Sequence, residues 1–211
     1  MLHGRSDNST VTFGANNLIS VGNNDHYNAN SNYSLNGHSY ISYMPQRITS
    51  ISSSHDEGGN LAHYLSNSGY IQNTDLFVFN YPNEDAVVHN ATKFKSYLDD
   101  LASYVYYFGS NQQKIALYGT KNPTSLTNYK VDIVGHSMGG LIARYYIENL
   151  GHSSRVAKLI TIGTPHWGSY MANQSCVGGA ILGKHKLCDH DLRTNSKMFD
   201  GTFTTILNCN V

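Results

Sequence analysis

Residues 131–151 constrain the chain more than any other stretch. Val131-Asp132-Ile133-Val134 is a short strand candidate that runs straight into Gly135-His136-Ser137-Met138-Gly139-Gly140. A segment with Leu141, Ile142, Tyr145 and Leu150 at helical spacing follows and stops at Gly151. A strand that turns into a helix over so few residues puts the intervening serine on a sharp, strained bend. The backbones on either side of the bend pass so close that side chains two residues away would collide, which accounts for glycine at 135 and 139. Such a bend aims the Ser137 hydroxyl outward at the positive end of the following helix. It also turns the Met138 backbone N–H toward any oxyanion formed when that hydroxyl attacks an acyl carbon.

The pentapeptide Gly-x-Ser-x-Gly is weak by itself, since it arises by chance in about one chain in five of this length and composition. Gly37-His38-Ser39-Tyr40-Ile41 begins with the same tripeptide but lacks the last glycine, and the sequence offers no strand beside it. The flanking elements carry the argument at Ser137, and Gly140 adds a second small position for close packing of helix on sheet.

Other elements fall into an alternating order. Leu61, Tyr64 and Leu65 suit a short amphipathic helix from about Asp56-Glu57 to Asn67-Ser68-Gly69. Leu76-Phe77-Val78-Phe79 is an apolar run of strand type, closed by Asn80-Tyr81-Pro82-Asn83. The spacing of Phe94, Leu98, Leu101 and Val105 predicts a helix over 87–108, and 156–162 reads as another strand, ending in Gly163-Thr164-Pro165. This alternation predicts parallel βαβ units, and the nearly unbroken apolar strands predict a sheet covered by helices on both faces. Residues 5–55, rich in Asn, Ser, Gly and Tyr, read as a loop-rich insertion.

Composition narrows the function classes. Fourteen basic residues balance fourteen acidic ones and only 13% of residues are charged, so the basic stripe of a nucleic-acid binder is missing. No apolar run is long enough to span a bilayer. With 40% hydrophobic residues the chain has enough apolar side chains for a core, and its uncharged polar character leans toward an extracellular or secreted setting.

Residues 131–146, followed by Val156-Ala157-Lys158-Leu159-Ile160-Thr161-Ile162-Gly163-Thr164-Pro165-His166-Trp167-Gly168-Ser169, resemble the lipase and esterase branch of the α/β-hydrolase fold. In style they are similar to bacterial triacylglycerol lipases and to the GPI-inositol-deacylase-like group. The resemblance is best over residues 56–170. It implies one partial α/β-hydrolase domain over 1–211, a mostly parallel sheet flanked by helices, with 56–170 as its core and 171–211 as a lid-like or pre-acid-strand segment. It implies Ser137 as nucleophile in an elbow formed by Gly135, His136 and Gly139, with His136 in a packing role. It also implies that His3-Gly4 ends an earlier strand, so that the Arg5 backbone N–H joins that of Met138 in an oxyanion hole. Arginine departs from the apolar residue usual in the family. His166 and Trp167 would line the substrate pocket, although Trp167 reads equally well as a capping aromatic.

A serine hydrolase also needs a histidine base and an acid that orients it. The resemblance implies the order Ser, acid, His, and neither His152 nor His166 stands in the base's place in that order. His185, His190, Asp189, Asp191 and Asp200 lie where no later strand is evident. The expectation is therefore a chain truncated at both ends, with acid and base beyond Val211; a reduced triad of Asp191 with His190 or His185 is the rival. Cys176, Cys188 and Cys209 fit three free thiols, or one bridge, such as Cys176–Cys188, with a spare. The spacing of Cys176, His185, Cys188 and His190 matches no standard zinc signature, so neither a metal nor a cofactor is expected. The implied activity is hydrolysis of lipid-like esters through an acyl-enzyme, with a lipid or small ester as partner, no nucleic acid, and transient contact with a lipid interface. Acyl transfer or deacylation on the same fold, or an inactive binding module, are the alternatives.

Overall fold

The computed structural model describes Leu2, the backbone of residues 11–17, 32–35, 38–41, 46–51 and 57–60, and residues 61–79, 81 and 86–168. Its strands are β1 (Val11–Asn17), β2 (Asn32–Leu35), β3 (His38–Ile41), β4 (Gln46–Ile51), β5 (Val131–His136) and β6 (Val156–Ile162). Its α-helices are α1 (Glu57–Asn67), α2 (Val87–Phe108), α3 (Asn111–Tyr118) and α4 (Met138–Glu148), with a 3-10 turn at Ser153–Arg155.

The central sheet is parallel. β5 pairs with β6 in a register that sets Ile133 against Leu159 and His136 against Ile162. Leu2 bridges in parallel to both Gly135 and Phe79. Its N–H donates to the Val134 carbonyl (2.8 Å), and its own carbonyl accepts from the His136 N–H (3.0 Å). The order across the sheet is therefore the Phe79 segment, Leu2, β5, β6. Helix α4 connects β5 to β6, as a parallel pair requires.

The spacing read from the sequence places α2 well. Phe94, Leu98, Leu101 and Val105 all fall on its buried face, together with Ala91, Tyr97 and Ala102. That face meets Phe79 and α4: the Phe94 ring lies 5.2 Å from Phe79 and 5.3 Å, edge-on, from Tyr146. Leu2, Val87, Met138, Ile142 and Tyr146 are completely buried in the same core. Truncating a ring such as Phe94 here should cost about 3–5 kcal/mol, the transfer energy of the ring plus the cavity left behind. This core fixes β5 and α4, and with them the bend at Ser137.

Several expectations change. Residues 5–55 contain four strands: β1 pairs antiparallel with β4, and β2 with β3. Asn36-Gly37 separates the paired ends Leu35 and His38, a two-residue hairpin spacing that the Asn-Gly dipeptide favours. Gly37-His38-Ser39 therefore does have strands beside it, but in a hairpin and not before a helix. Among the described residues the run 76–79 is paired only at Leu76, with Gln72, and at Phe79, with Leu2, although Leu76, Val78 and Phe79 are buried. Tyr64 points outward at 67% exposed, and α1 buries Ala62 instead. Residues 171–211 lie outside the described residues. Ile160 and Ile162 of β6 are about two-fifths exposed. Among the described residues β6 pairs on one edge only, so its apolar alternation is not matched by burial. The fold is that of an α/β-hydrolase in these described parts: parallel strands, a serine at a strand-to-helix bend, and a helix packed back on the sheet.

Candidate active site

β5 ends at His136 and α4 begins at Met138, so Ser137 alone makes the turn from strand to helix. Its backbone sits at φ 51°, ψ −123°. Only Asn73 shares a positive φ among the described non-glycine residues. A conformation this sparsely populated costs on the order of 1–3 kcal/mol and persists only where its surroundings over-determine it. Those surroundings are visible. The Ser137 N–H donates to the Ile162 carbonyl (2.8 Å), and the Ser137 carbonyl accepts from the Gly140 N–H (3.1 Å).

The glycines fit this account. A Cβ at Gly135 would stand 2.7 Å from the Cα and N of Gly140 and 2.9 Å from the carbonyl carbon of Gly139. The obstacle is backbone, so helix and strand would have to separate to admit it. Gly139 and Met138 are buried in the first turn of α4, where backbone N–H groups have no partner within the helix. Ser137 itself is half-buried.

The turn after β6 closes on the same helix. Gly163 reverses the chain at φ 56°, and Thr164 presses on Gly140: a Cβ there would collide with Thr164 Oγ1 and lie 2.8 Å from its Cγ2. His166 folds back over this turn. Its N–H donates to the Thr164 carbonyl (2.9 Å), and its Nε2 lies 3.2 Å from Thr161 Oγ1. Its Nδ1 is buried with no hydrogen-bond partner among the described residues, as is Thr164 Oγ1. Burial, and to a lesser degree the Arg144 guanidinium, hold the His166 pKa below the ordinary histidine value. Trp167 is 76% exposed. His136 lies beside the same turn, with its Nε2 3.8 Å from where a Gly163 Cβ would be.

Thr161, Thr164 and Arg144 were not singled out by the sequence. Arg144 is 2% exposed and pairs with Glu148 at 3.0 Å, one helical turn on. That Arg/Glu spacing at i,i+4 was readable, but the burial of Arg144 was not. The two threonines stand in the 156–169 block that carries the resemblance, but their contacts depend on how the turn folds.

The other described histidine after Ser137, His152, follows the opposite end of α4. It stacks on Tyr146 at 4.9 Å beside a clasp in which Arg155 Nη1 donates to Asp99 (2.6 Å) and to the Tyr129 hydroxyl (3.3 Å). Burial, with Arg155 and Lys95, lowers its pKa against the opposing pull of Asp99. A cavity of about 490 Å³ lies around the start of β5, lined among others by Leu2, Phe79, Phe94, Leu117, Val131 and Ile133, and Ser137 is not part of it. Among the described residues no three His, Cys, Asp or Glu side chains gather as a metal site would need. His3, Gly4 and Arg5, the three cysteines, His185, His190, Asp189, Asp191 and Asp200 lie outside the described residues.

Two solved structures are similar to this chain, both of the lipase BlEst2 from Bacillus licheniformis. The mature form is 21% identical with a TM-score of 0.38, over 56% of this chain and 41% of that one. The propeptide form is 21% identical with a TM-score of 0.39, over 56% of this chain and 22% of that one. This chain thus spans less than half the length of either. Residues 88–206 match the family described as palmitoyl protein thioesterase. That match takes in α2, the Ser137 bend and the turn at His166, and it agrees with the lipase and esterase branch anticipated from residues 131–169. More than half of the sequence matches, and the chain belongs to the palmitoyl protein thioesterase family.

Proposed function

We propose that the protein is a serine hydrolase that cleaves esters or thioesters of fatty-acyl groups through an acyl-enzyme on Ser137. The observation that carries this reading is the backbone of Ser137, at φ 51° between a parallel strand and a helix, with Gly135 pressed against Gly140. Strain of this kind is a reason to look for function at the residue that bears it. In the proposed reaction Ser137 Oγ attacks the acyl carbonyl carbon while a histidine takes its proton. The tetrahedral oxyanion is held by the Met138 N–H, with the Arg5 N–H as second donor. The same histidine returns the proton to the leaving thiol or alcohol, and water then releases the fatty acid. His166 is engaged with Thr161, and His152 is packed on Tyr146, so the base and its acid are assigned to residues outside the described ones. The family name supports an S-acylated protein as substrate. The test compares wild type with Ser137→Ala on p-nitrophenyl butyrate, p-nitrophenyl palmitate and an S-palmitoyl peptide. Turnover by wild type should fall at least 1,000-fold in the variant, on the order of what loss of a nucleophile costs. Equal rates on all three substrates overturn the proposal.

A further inference from the structure

The turn that follows β6 is tied to the Ser137 bend more closely than a connecting loop needs to be. Thr164 lies against Gly140 at a separation that leaves no room for one methyl group. The Ile162 carbonyl, at the end of β6, accepts the Ser137 N–H. Across this turn's own ends runs a side-chain hydrogen bond between His166 Nε2 and Thr161 Oγ1, at 3.2 Å. Its Nδ1 is buried and has no hydrogen-bond partner among the described residues. The Thr161 contact is therefore the side-chain hydrogen bond through which the described ring is held in this turn.

We propose that His166 is a positioning residue: by clasping Thr161 it holds Thr164 on Gly140 and so fixes the first turn of α4, whose Met138 N–H serves the oxyanion. This rests on the hydrolase reading above for its catalytic consequence, but not for its structural one. The imidazole acts here as a neutral group. Arg144 on α4, itself paired with Glu148, and His136 on β5 are the titratable groups nearest this turn on the elements packed against it, and burial with Arg144 opposes protonation.

The experiment uses the intact protein with His166→Ala, His166→Gln and Thr161→Val. Glutamine keeps a donor near the place of Nε2, and valine keeps the shape of threonine without its hydroxyl. In His166→Ala, kcat toward a p-nitrophenyl ester should fall about tenfold with KM within twofold, the pattern of an interaction lost in the transition state alone. Amide exchange at Ser137 and Gly140, whose N–H groups are bonded to the Ile162 and Ser137 carbonyls, should quicken about tenfold. His166→Gln should recover most of both effects. Unchanged kcat with unchanged exchange, or a glutamine variant no better than alanine, overturns the proposal. If His166→Ala does not fold, Thr161→Val carries the same two measurements with the same expected outcomes. If wild type and Ser137→Ala prove equally inactive, the hydrolase reading fails, and amide exchange alone decides whether His166 holds the turn.

Discussion

Ser137 holds a backbone conformation that a glycine adopts without penalty, and this separates its contribution to stability from the nucleophilic role proposed for it. Ser137→Gly should raise the unfolding free energy by about 1 kcal/mol over Ser137→Ala, because only glycine relieves the strain at φ 51°. Both should abolish labelling by a fluorophosphonate. Urea unfolding of the two variants, side by side, reads the difference; equal midpoints would mean that the bend is unstrained. His166 makes a second prediction at this scale. Its pKa is lowered in the folded protein, so below about pH 6.5 the unfolded chain binds a proton that the folded one resists. Its contribution is therefore present above that pH and is lost as pH falls toward the folded value. His152 shifts in the same direction and adds to the loss. Urea midpoints at pH 7.5 and 5.5 should fall less in His166→Gln than in wild type, and parallel falls would remove His166 from the account.

At the scale of elements, the contact between α4 and its neighbours is made by two glycines with different obstacles. Gly135 faces backbone, so Gly135→Ala should destabilise by about 3 kcal/mol, with no second-site side-chain change to relieve it. Gly140 faces the Thr164 side chain, so Gly140→Ala should be partly rescued by Thr164→Ala, with a coupling of about 1 kcal/mol in a double-mutant cycle. Additive effects at 140 and 164 would contradict the packing described. These contacts also mark how far the sequence could be read. The period of α2, the extent of β6 and the need for glycine at 135 were legible, because each rests on local spacing. Helix α3 was passed over, yet Ser110 and Gln113 form a reciprocal capping box that the Ser-x-x-Gln spacing announces. β2 and β3 were overlooked in the same way, despite Asn36-Gly37 between them. β1 and β4 differ, because they pair across about 30 to 40 residues with irregular register, and no local pattern signals that. The hydrogen bond of His166 to Thr161 also needed the folded turn to be seen.

Over the whole molecule, the distribution of histidines decides which of them can serve Ser137. Helix α4 has 11 residues, so its ends are about 16 Å apart. Ser137 precedes one end, and His152 follows the other beyond Gly151, where φ is 72°. There it lies against Tyr146, near the Arg155–Asp99 ion pair that ties the entry to β6 onto α2. No side chain reaches across that span, so His152 belongs to the packing of α2 and α4 and not to the chemistry. His152→Gln should lower the melting temperature by a few degrees, as about 1 kcal/mol of stacking and burial is lost. It should leave the rate of fluorophosphonate labelling at Ser137 within twofold of wild type. The same two measurements on Ser137→Ala would give the reverse pattern, with labelling gone and stability little changed. Should His152→Gln abolish labelling while the protein stays folded, the base would have been placed at the wrong end of α4, and the arrangement of the active site around the Ser137 bend would have to be redrawn.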